Sequence, residues 1–378
     1  MGVEIRYESL IYKTKLFHLN NNSGYTAIMS SAATPKFVHK QLLYIIIVVA
    51  LTANIFLILQ KRPTLIFYNA YKDDVECHLQ KSFNLPIANN FSFSSLKQIF
   101  FHDVSCKSGL NSREACAVES AATNNPNWDI NVFFLGPPSD LFLESTVYKL
   151  LKKKSNIHFY RVDIVDFVKD TPIENLLPSE IMHINKNWCL ESLAGMIKYL
   201  ALYKYGGIYL DLDVITVKSF DTLPANWVAK QDSEVYGNAA FALSRNGFGR
   251  TVAENIIRDF SQNFNPFTWA ELSTDVLKRV LQQICNKSSD RMWQLVNIYN
   301  QSCTELSVLD PVVFYPIHFN KRMHYFESGT VKFAKTYGHH LWSSLSIGME
   351  APEKSILAQL AERSCPTTFE LFKDSFGS

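Results

Sequence analysis

The chain has 378 residues, of which 47% are hydrophobic and 19% are charged. This balance is typical of a folded protein with a sizeable core and excludes a chain that is disordered throughout. The net charge is +2, from 37 Lys and Arg residues against 35 Asp and Glu residues. It argues against a dedicated nucleic-acid-binding protein, which carries a clear basic excess.

An uncharged, mostly apolar segment at positions 42–59 predicts a single transmembrane helix. A buried core helix and a cleaved signal peptide are the alternatives. Core segments of this kind are usually shorter, however, and a signal peptide has a much shorter N-terminal region than the one found here.

The residues after this segment carry the features of an oxidising, lumenal compartment. All seven cysteines lie there, as do three Asn-x-Ser sequons, at Asn90, Asn286 and Asn300. The predicted topology is that of a type II protein whose start is Met1 or Met29. Its parts are a cytosolic tail at 1–41, the anchor at 42–59, a stem at 60–94 and a lumenal catalytic domain at 95–378.

The lumenal part alternates between segments typical of strands and segments typical of helices. Strands are predicted at 99–102, 131–135, 157–162 and 208–210, and helices at 112–122, 139–154 and 190–205. Ser112 is the expected N-cap of the first helix, and Gly206 and Gly207 are expected to end the last one. This alternation predicts an α/β fold with βαβ units and a largely parallel sheet.

Two carboxylates, Asp211 and Asp213, follow the apolar strand at 208–210. Residues two apart on a strand face the same side, so both carboxylates are expected to reach one divalent cation. In open α/β sheets, ligands bind beyond the carboxyl ends of the strands. A cation at that place can neutralise the diphosphate of a nucleotide sugar. An isolated Asp-x-Asp is usually a solvated turn, but its place in this pattern favours a nucleotide-sugar transferase.

Residues 203–214, with the sequence YKYGGIYLDLDV, closely resemble the donor motif of glycosyltransferase family 32. This is the group of the lactosylceramide 4-alpha-galactosyltransferases and the alpha-1,4-N-acetylglucosaminyltransferases. Further segments similar to the family lie at 99–106, 113–122, 237–241, 314–317, 340–342 and 357–368. The resemblance therefore extends over most of the lumenal part.

The resemblance implies a GT-A-type, Rossmann-like nucleotide-sugar-binding fold in a Mn²⁺-dependent, configuration-retaining Golgi enzyme. That enzyme would transfer Gal or GalNAc from UDP-Gal or UDP-GalNAc to a glycosphingolipid in α-1,4 linkage. The implied partners are the donor, the glycolipid acceptor, the Golgi membrane and, in oligomers, further copies or other Golgi enzymes, with no nucleic acid. The implied metal ligands are Asp211, Asp213 and His340, and the implied UDP-sugar-binding residues are Tyr209, Asp211, Lys198 and Trp342. No catalytic base or nucleophile is assigned.

The chain departs from the family's pattern around the expected cleft. Family members usually carry Ser-Asp-x-x-Arg before the double glycine, whereas this chain has Gly195 and Lys198 at the Asp and Arg positions. The family's Gly-Pro reads Ser273-Thr274 here, and the Asn after His-x-Trp is Ser343. These changes predict an altered donor or acceptor, or reduced activity. The alternative function is that of a catalytically weak family member that acts as a scaffold for another Golgi glycosyltransferase.

The seven cysteines are an odd number, so at least one thiol stays free or pairs with another chain. Cys106 with Cys116, and Cys285 with Cys303, are the expected disulfides, each closing a loop that would stabilise the fold by about 3 kcal/mol. The alternative for both pairs is that they are reduced and buried.

Overall fold

A seven-stranded sheet forms the centre of the fold. The computed structural model describes residues 84–88, 93, 95–105, 109–176, 190–263, 274–285, 305–330 and 334–377. The strands are β1 (Gln98–Asp103), β2 (Asp129–Phe134), β3 (Ile157–Arg161), β4 (Gly207–Leu210), β5 (Val214–Thr216), β6 (Trp227–Lys230), β7 (Tyr236–Leu243), β8 (Ser307–Leu309) and β9 (Gly338–His340). The large sheet has the order β3-β2-β1-β4-β7-β6-β8, and β5 pairs with β9 in a separate two-stranded sheet.

The large sheet is parallel except at one strand. Strands β1 to β4 pair in parallel, β7 runs antiparallel to both β4 and β6, and β8 is parallel to β6. Within the described residues, six strands of this sheet therefore point the same way and only β7 is reversed. The prediction of an α/β fold with a largely parallel sheet is confirmed.

Helices connect the strands and cover the sheet. They are α1 (Ser112–Asn124), α2 (Asp140–Glu144), α3 (Thr146–Lys152), α4 (Ile164–Phe167), α5 (Leu190–Tyr205), α6 (Gly247–Asn263), α7 (Thr274–Cys285), α8 (Ile356–Ser364) and α9 (Pro366–Leu371). Short 3₁₀ turns lie at Glu174–Leu176, Phe220–Thr222, Pro311–Val313, Phe319–Phe326, Ser343–Leu345 and Lys373–Ser375. The predicted helix at 190–205 coincides with α5, which ends where Gly206 adopts a φ of 66°.

Two helix predictions need correction. The cap of α1 is Asn111, which forms a capping box with Glu114, so the predicted N-cap at Ser112 was wrong by one residue. The predicted helix at 139–154 is two helices, because the Ser145 hydroxyl accepts a hydrogen bond from the backbone N–H of Tyr148 and starts a new helix there. Serine competes with the helical backbone in this way and favours helix starts over helix interiors.

Described residues of the predicted stem contact β3 and α5. Ala88 and Phe93 are buried, and Ile87 pairs in a parallel bridge with Arg161 of β3. The ring of Phe93 lies 4.5 Å from that of Tyr205, the last residue of α5. These contacts pack Phe93 beside the turn that leads into β4, and the stem boundary at residue 94 stays a prediction.

A disulfide between Cys116 and Cys365 joins α1 to the start of α9, across 249 residues of sequence. One turn along α1, the buried Glu119 carboxylate accepts hydrogen bonds from the backbone N–H groups of Thr367 and Thr368. The predicted pairing of Cys116 with Cys106 was wrong, because α1 turns Cys116 toward the C-terminal helices. Cys106, Cys303 and the Cys285 side chain lie outside the described part of the chain.

The predicted membrane anchor at 42–59 also lies outside the described residues. Within the described ranges, no helix combines the length and the apolar character that crossing a bilayer requires.

Candidate functional site

The site lies where two neighbouring parallel strands end. The chain adds β2 and β3 on one side of β1 and then returns to place β4 on its other side, so β1 and β4 mark the point at which the strand order reverses. Ligands of open α/β sheets bind in the crevice at such a point, beyond the carboxyl ends of the strands. His102 and Asp103 end β1, and Asp211 follows the last residue of β4.

Asp211 and Asp213 are brought together by a turn. β4 ends at Leu210, the Asp211 N–H donates to the carbonyl of Ala239 in β7, and the Val214 N–H donates back to the carbonyl of Asp211. The expectation that strand alternation aligns the two carboxylates was therefore wrong in its reason. A tight turn directly after the strand places both side chains at the same edge of the sheet.

The small sheet brings His340 to Asp213. Val214 of β5 pairs with His340 of β9, and the Leu341 N–H donates a 2.9 Å hydrogen bond to the carbonyl of Asp213. This register puts Nε2 of His340 3.1 Å from Oδ1 of Asp213. The ligand atoms of Asp211, Asp213 and His340 all lie within 4.8 Å of one another.

The Asp213 carboxylate is held in its ionised form. Burial alone would raise its pKa, but the neighbouring His340, the backbone N–H of Ser343 and the more distant Lys198 together lower the pKa below its ordinary value. The Ser343 N–H donates to Oδ2 of Asp213 at 2.9 Å. An ionised carboxylate is the form that binds a cation, so this environment prepares Asp213 as a ligand.

Lys198 and Tyr209 converge on one oxygen of Asp211. Nζ of Lys198 lies 3.0 Å from Oδ1 of Asp211 and 3.2 Å from the carbonyl of Asn238. The Tyr209 hydroxyl donates to the same Oδ1 at 2.6 Å, and it also lies 2.7 Å from Nδ1 of His102. The Lys198 side chain is 6% exposed and that of Asp211 28%, so the ion pair lies at the inner wall of the site.

Trp342 lies beside the candidate metal ligands. Its ring centroid is 4.1 Å from that of His340, and its indole N–H donates to the carbonyl of Ile317 at 2.9 Å. Its backbone is left-handed, with a φ of 57°, which is uncommon for a bulky residue and turns the next N–H, that of Ser343, toward Asp213. The structure thus places Trp342 where it supports His340 and Ser343.

The three clustered residues fit a divalent cation. Two carboxylates and one imidazole supply hard oxygen ligands and one nitrogen ligand, a set compatible with Mn²⁺ or similar ions. Nδ1 of His340 is buried and, among the described residues, has no hydrogen-bond partner. Nε2, which lies 3.1 Å from Oδ1 of Asp213, is the nitrogen in position to bind a metal ion together with the carboxylates.

Sequence reasoning missed His102, Ser343 as a donor to Asp213, and the carbonyl of Asn238. His102 could have been noticed from the sequence, because it is the last residue of a predicted strand and ligands bind at strand ends. Its partner Tyr209 could not, because that contact depends on which strand lies beside β1. The roles of Ser343 and Asn238 are carried by backbone atoms, which leave no mark on the sequence. Gly195 is buried in α5, one helical turn before Lys198.

Family models match most of the described domain. Residues 111–233 match the model described as a glycosyltransferase sugar-binding region containing the DXD motif. Residues 245–372 match the alpha 1,4-glycosyltransferase conserved region. The lactosylceramide 4-alpha-galactosyltransferase of Mus musculus is 30% identical over 313 residues, which cover 80% of this chain and 84% of the mouse protein. The chain belongs to the alpha-1,4-glycosyltransferase family.

Two human relatives agree with this membership. The human lactosylceramide 4-alpha-galactosyltransferase is 29% identical over 73% of this chain and 77% of its own length. The human alpha-1,4-N-acetylglucosaminyltransferase is 26% identical over 70% and 77%. Among solved structures, the galactosyltransferase LgtC with donor and acceptor sugar analogues has a TM-score of 0.34 at 13% identity, covering 72% of this chain and 99% of LgtC. The family models and the mouse and human relatives confirm the prediction of a hexosyltransferase of this family.

Proposed function

We propose that this chain transfers galactose or N-acetylgalactosamine from a UDP-sugar to a glycosphingolipid in α-1,4 linkage, with retention of configuration and with Mn²⁺ as its cation. The observation that carries the proposal is the cluster of Asp211, Asp213 and His340 at the edge where β1 and β4 end. A cation at this edge of an open α/β sheet can neutralise the diphosphate of a nucleotide sugar.

The residues of the site have two roles: some would bind the cation, and others orient its ligands. Asp213 and His340 would hold the cation, with Asp211 beside them, and Lys198 and Tyr209 fix the Asp211 carboxylate by hydrogen bonds. A bound cation supplies positive charge to the diphosphate as UDP leaves. The buried ammonium of Lys198 adds a second positive charge at the wall of the site.

The relatives and the sequence support a proposal for the acceptor and the cellular location. Lactosylceramide, which appears in the relatives' name, is a membrane lipid, and the apolar segment at 42–59 would hold this chain at the same surface. We therefore propose a type II Golgi membrane protein with a lumenal catalytic domain, glycosylated at one or more of Asn90, Asn286 and Asn300.

A donor and acceptor screen tests the reaction. The full-length chain in detergent would be incubated with lactosylceramide, Mn²⁺ and UDP-Gal, UDP-GalNAc or UDP-GlcNAc, and the product read by mass spectrometry and linkage analysis. We expect one hexose or N-acetylhexosamine to be added in α-1,4 linkage. Asp213→Asn should lower transfer by more than about 100-fold, because loss of a direct ligand should exceed the roughly 10- to 100-fold loss that follows removal of a residue that only orients a ligand. The exposed Asp221→Asn is the matched control.

The scaffold hypothesis gives a different result in the same preparation. A family member that serves only as a partner of another enzyme would bind no UDP, with or without Mn²⁺, in a calorimetric titration. The absence of a carboxylate at Gly195 favours this second candidate, whereas the intact metal cluster favours the enzyme. If the chain bound UDP in a cation-dependent way but transferred sugar to no glycolipid, the acceptor proposal would be wrong. The proposed donor site would still be supported.

A further inference from the structure

His102 and Tyr209 meet across the junction of β1 and β4. Phe100 pairs with Tyr209 in the register of these strands, and His102 lies two residues further along β1. The rings of His102 and Tyr209 have their centroids 5.2 Å apart, and Nδ1 lies 2.7 Å from the hydroxyl oxygen. Both side chains are buried, and neither His102 nor this contact is assigned a role by the family motif.

Counting protons gives this contact a direction. The Tyr209 hydroxyl has one proton and two close partners, Oδ1 of Asp211 and Nδ1 of His102. An ionised carboxylate can only accept a hydrogen bond, so the hydroxyl proton must point to Asp211. The remaining bond then requires that Nδ1 of His102 carries a proton and donates it to the Tyr209 oxygen.

The resulting chain ends on one oxygen of Asp211. The Tyr209 hydroxyl and Nζ of Lys198 both bond to Oδ1, while no described residue bonds to Oδ2. The carboxylate is thereby fixed with Oδ2 available to a ligand. The hydrogen bond from His102 holds the Tyr209 oxygen in place and, by cooperativity, strengthens the bond that the hydroxyl donates to Asp211. Without that donor, the carboxylate would lose part of one of its two restraints.

We propose that His102 is a positioning residue for the cation and donor site: by donating from Nδ1 to Tyr209, it holds the Tyr209 hydroxyl in place, strengthens its hydrogen bond to Asp211 and so fixes that carboxylate for its ligand. The inference rests on the proposed role of Asp211 beside the cation. Residues that orient metal ligands typically change affinity by 10- to 100-fold when removed. The intervening hydroxyl places the expected effect of His102 at the lower end of that range.

Three variants of the full-length protein test the proposal. His102→Leu removes the donor at a similar volume, and His102→Asn places an amide N–H close to the position of Nδ1. Tyr209→Phe removes the hydroxyl through which His102 acts. The readouts are Mn²⁺ affinity in the presence of UDP, followed by the electron paramagnetic resonance of free Mn²⁺, and KM and kcat for the UDP-sugar.

We expect His102→Leu to weaken Mn²⁺ binding and raise the KM for the donor about tenfold. His102→Asn should bring the Mn²⁺ affinity and the donor KM back to within about threefold of the wild-type values, a difference that corresponds to one weak hydrogen bond. In a Tyr209→Phe background, His102→Leu should have no further effect, because the hydroxyl that it orients is absent. His158→Leu, a change of a half-exposed strand histidine away from the site, should leave both unchanged.

Other outcomes overturn the proposal. Unchanged Mn²⁺ affinity in a folded His102→Leu protein would show that His102 positions nothing, as would a full additional effect in the Tyr209→Phe background. Thermal unfolding of each variant shows whether it is folded. If His102→Asn bound Mn²⁺ no more tightly than His102→Leu, His102 would act by packing alone. If Asp213→Asn also left Mn²⁺ binding intact, the proposed metal site itself would be wrong and the inference would fall with it.

Discussion

The backbone N–H of Ser343 donates a hydrogen bond to Oδ2 of Asp213, although the two residues are 130 positions apart. The 3₁₀ turn that starts at Ser343 is held in place three residues later by Arg113. Nη1 of Arg113 donates to Oγ of Ser346 at 2.9 Å, and Nη2 donates to the Ser346 carbonyl at 3.0 Å. The orientation of a candidate metal ligand thus depends on a buried arginine of α1.

Arg113→Met should loosen this segment. The change removes the buried guanidinium that donates to both the hydroxyl and the carbonyl of Ser346, so we expect the free energy of unfolding to fall by about 3 kcal/mol. The KM for the donor should rise as well, because Ser343 no longer holds Asp213 as firmly. Urea unfolding and donor kinetics measure the two effects, and the exposed Arg363→Met should change stability by less than about 0.5 kcal/mol. Wild-type kinetics in a folded Arg113→Met protein would contradict the link to Asp213.

Lys198→Met should reduce turnover at the donor site. It removes the ammonium that pairs with Asp211. Because a hydrogen bond to a charged group contributes about 1.5 to 3 kcal/mol, kcat/KM should fall about 10- to 100-fold. Lys198→Arg keeps the charge and should retain part of the activity, since a guanidinium cannot reproduce both contacts of the ammonium. Lys149→Met on the surface of α3 is the matched control. A Lys198→Met protein with wild-type kcat/KM would show that Lys198 does not contribute to the donor site.

Gly206 and Gly247 have nearly the same backbone conformation, with φ values of 66° and 65°, but different surroundings. A Cβ at Gly206 would lie 2.4 Å from the backbone nitrogen of Arg245, whereas a Cβ at Gly247 would meet nothing within 4 Å. Gly247→Ala should therefore cost only the left-handed conformation, about 1 kcal/mol, and Gly206→Ala at least twice as much. Chemical denaturation of both variants measures the difference, and equal costs would show that the turn into β4 can shift.

Replacing both Cys116 and Cys365 with serine should destabilise the domain by about 2 to 5 kcal/mol. A reductant should lower the melting temperature of the wild-type protein and leave that of the double variant unchanged. Peptide mapping under non-reducing conditions should recover a fragment that links Cys116 with Cys365. Recovery of a Cys106–Cys116 fragment from the folded protein would contradict this pairing.

Local sequence patterns were sufficient for much of the fold. The apolar periodicity of α5, the double glycine after it and the apolar run of β4 all act within a few residues, so the helix, its end and the strand could be predicted. The split between α2 and α3 was missed because one serine side chain, that of Ser145, decides it.

The site depended on contacts between distant parts of the chain. Asp211 and Asp213 could be identified from their own neighbours, while His340 entered only through a resemblance, because its place beside Asp213 is set by the pairing of β5 with β9. The contact of His102 with Tyr209 needs the order of β1 and β4, which local patterns do not contain. The disulfide prediction failed for the same reason, since nearby cysteines were preferred over the distant Cys365.

The Cys116–Cys365 bond also sets a waiting time during synthesis. Cys116 is translated 249 residues before its partner. At about 5 to 20 residues per second, its thiol stays without that partner for about 12 to 50 s. Until the last helices arrive, the face of α1 that they cover is exposed, and Cys116 is open to a wrong partner such as Cys106. We therefore expect oxidative folding of this domain to need disulfide isomerisation more often than that of a domain whose cysteines pair with near neighbours.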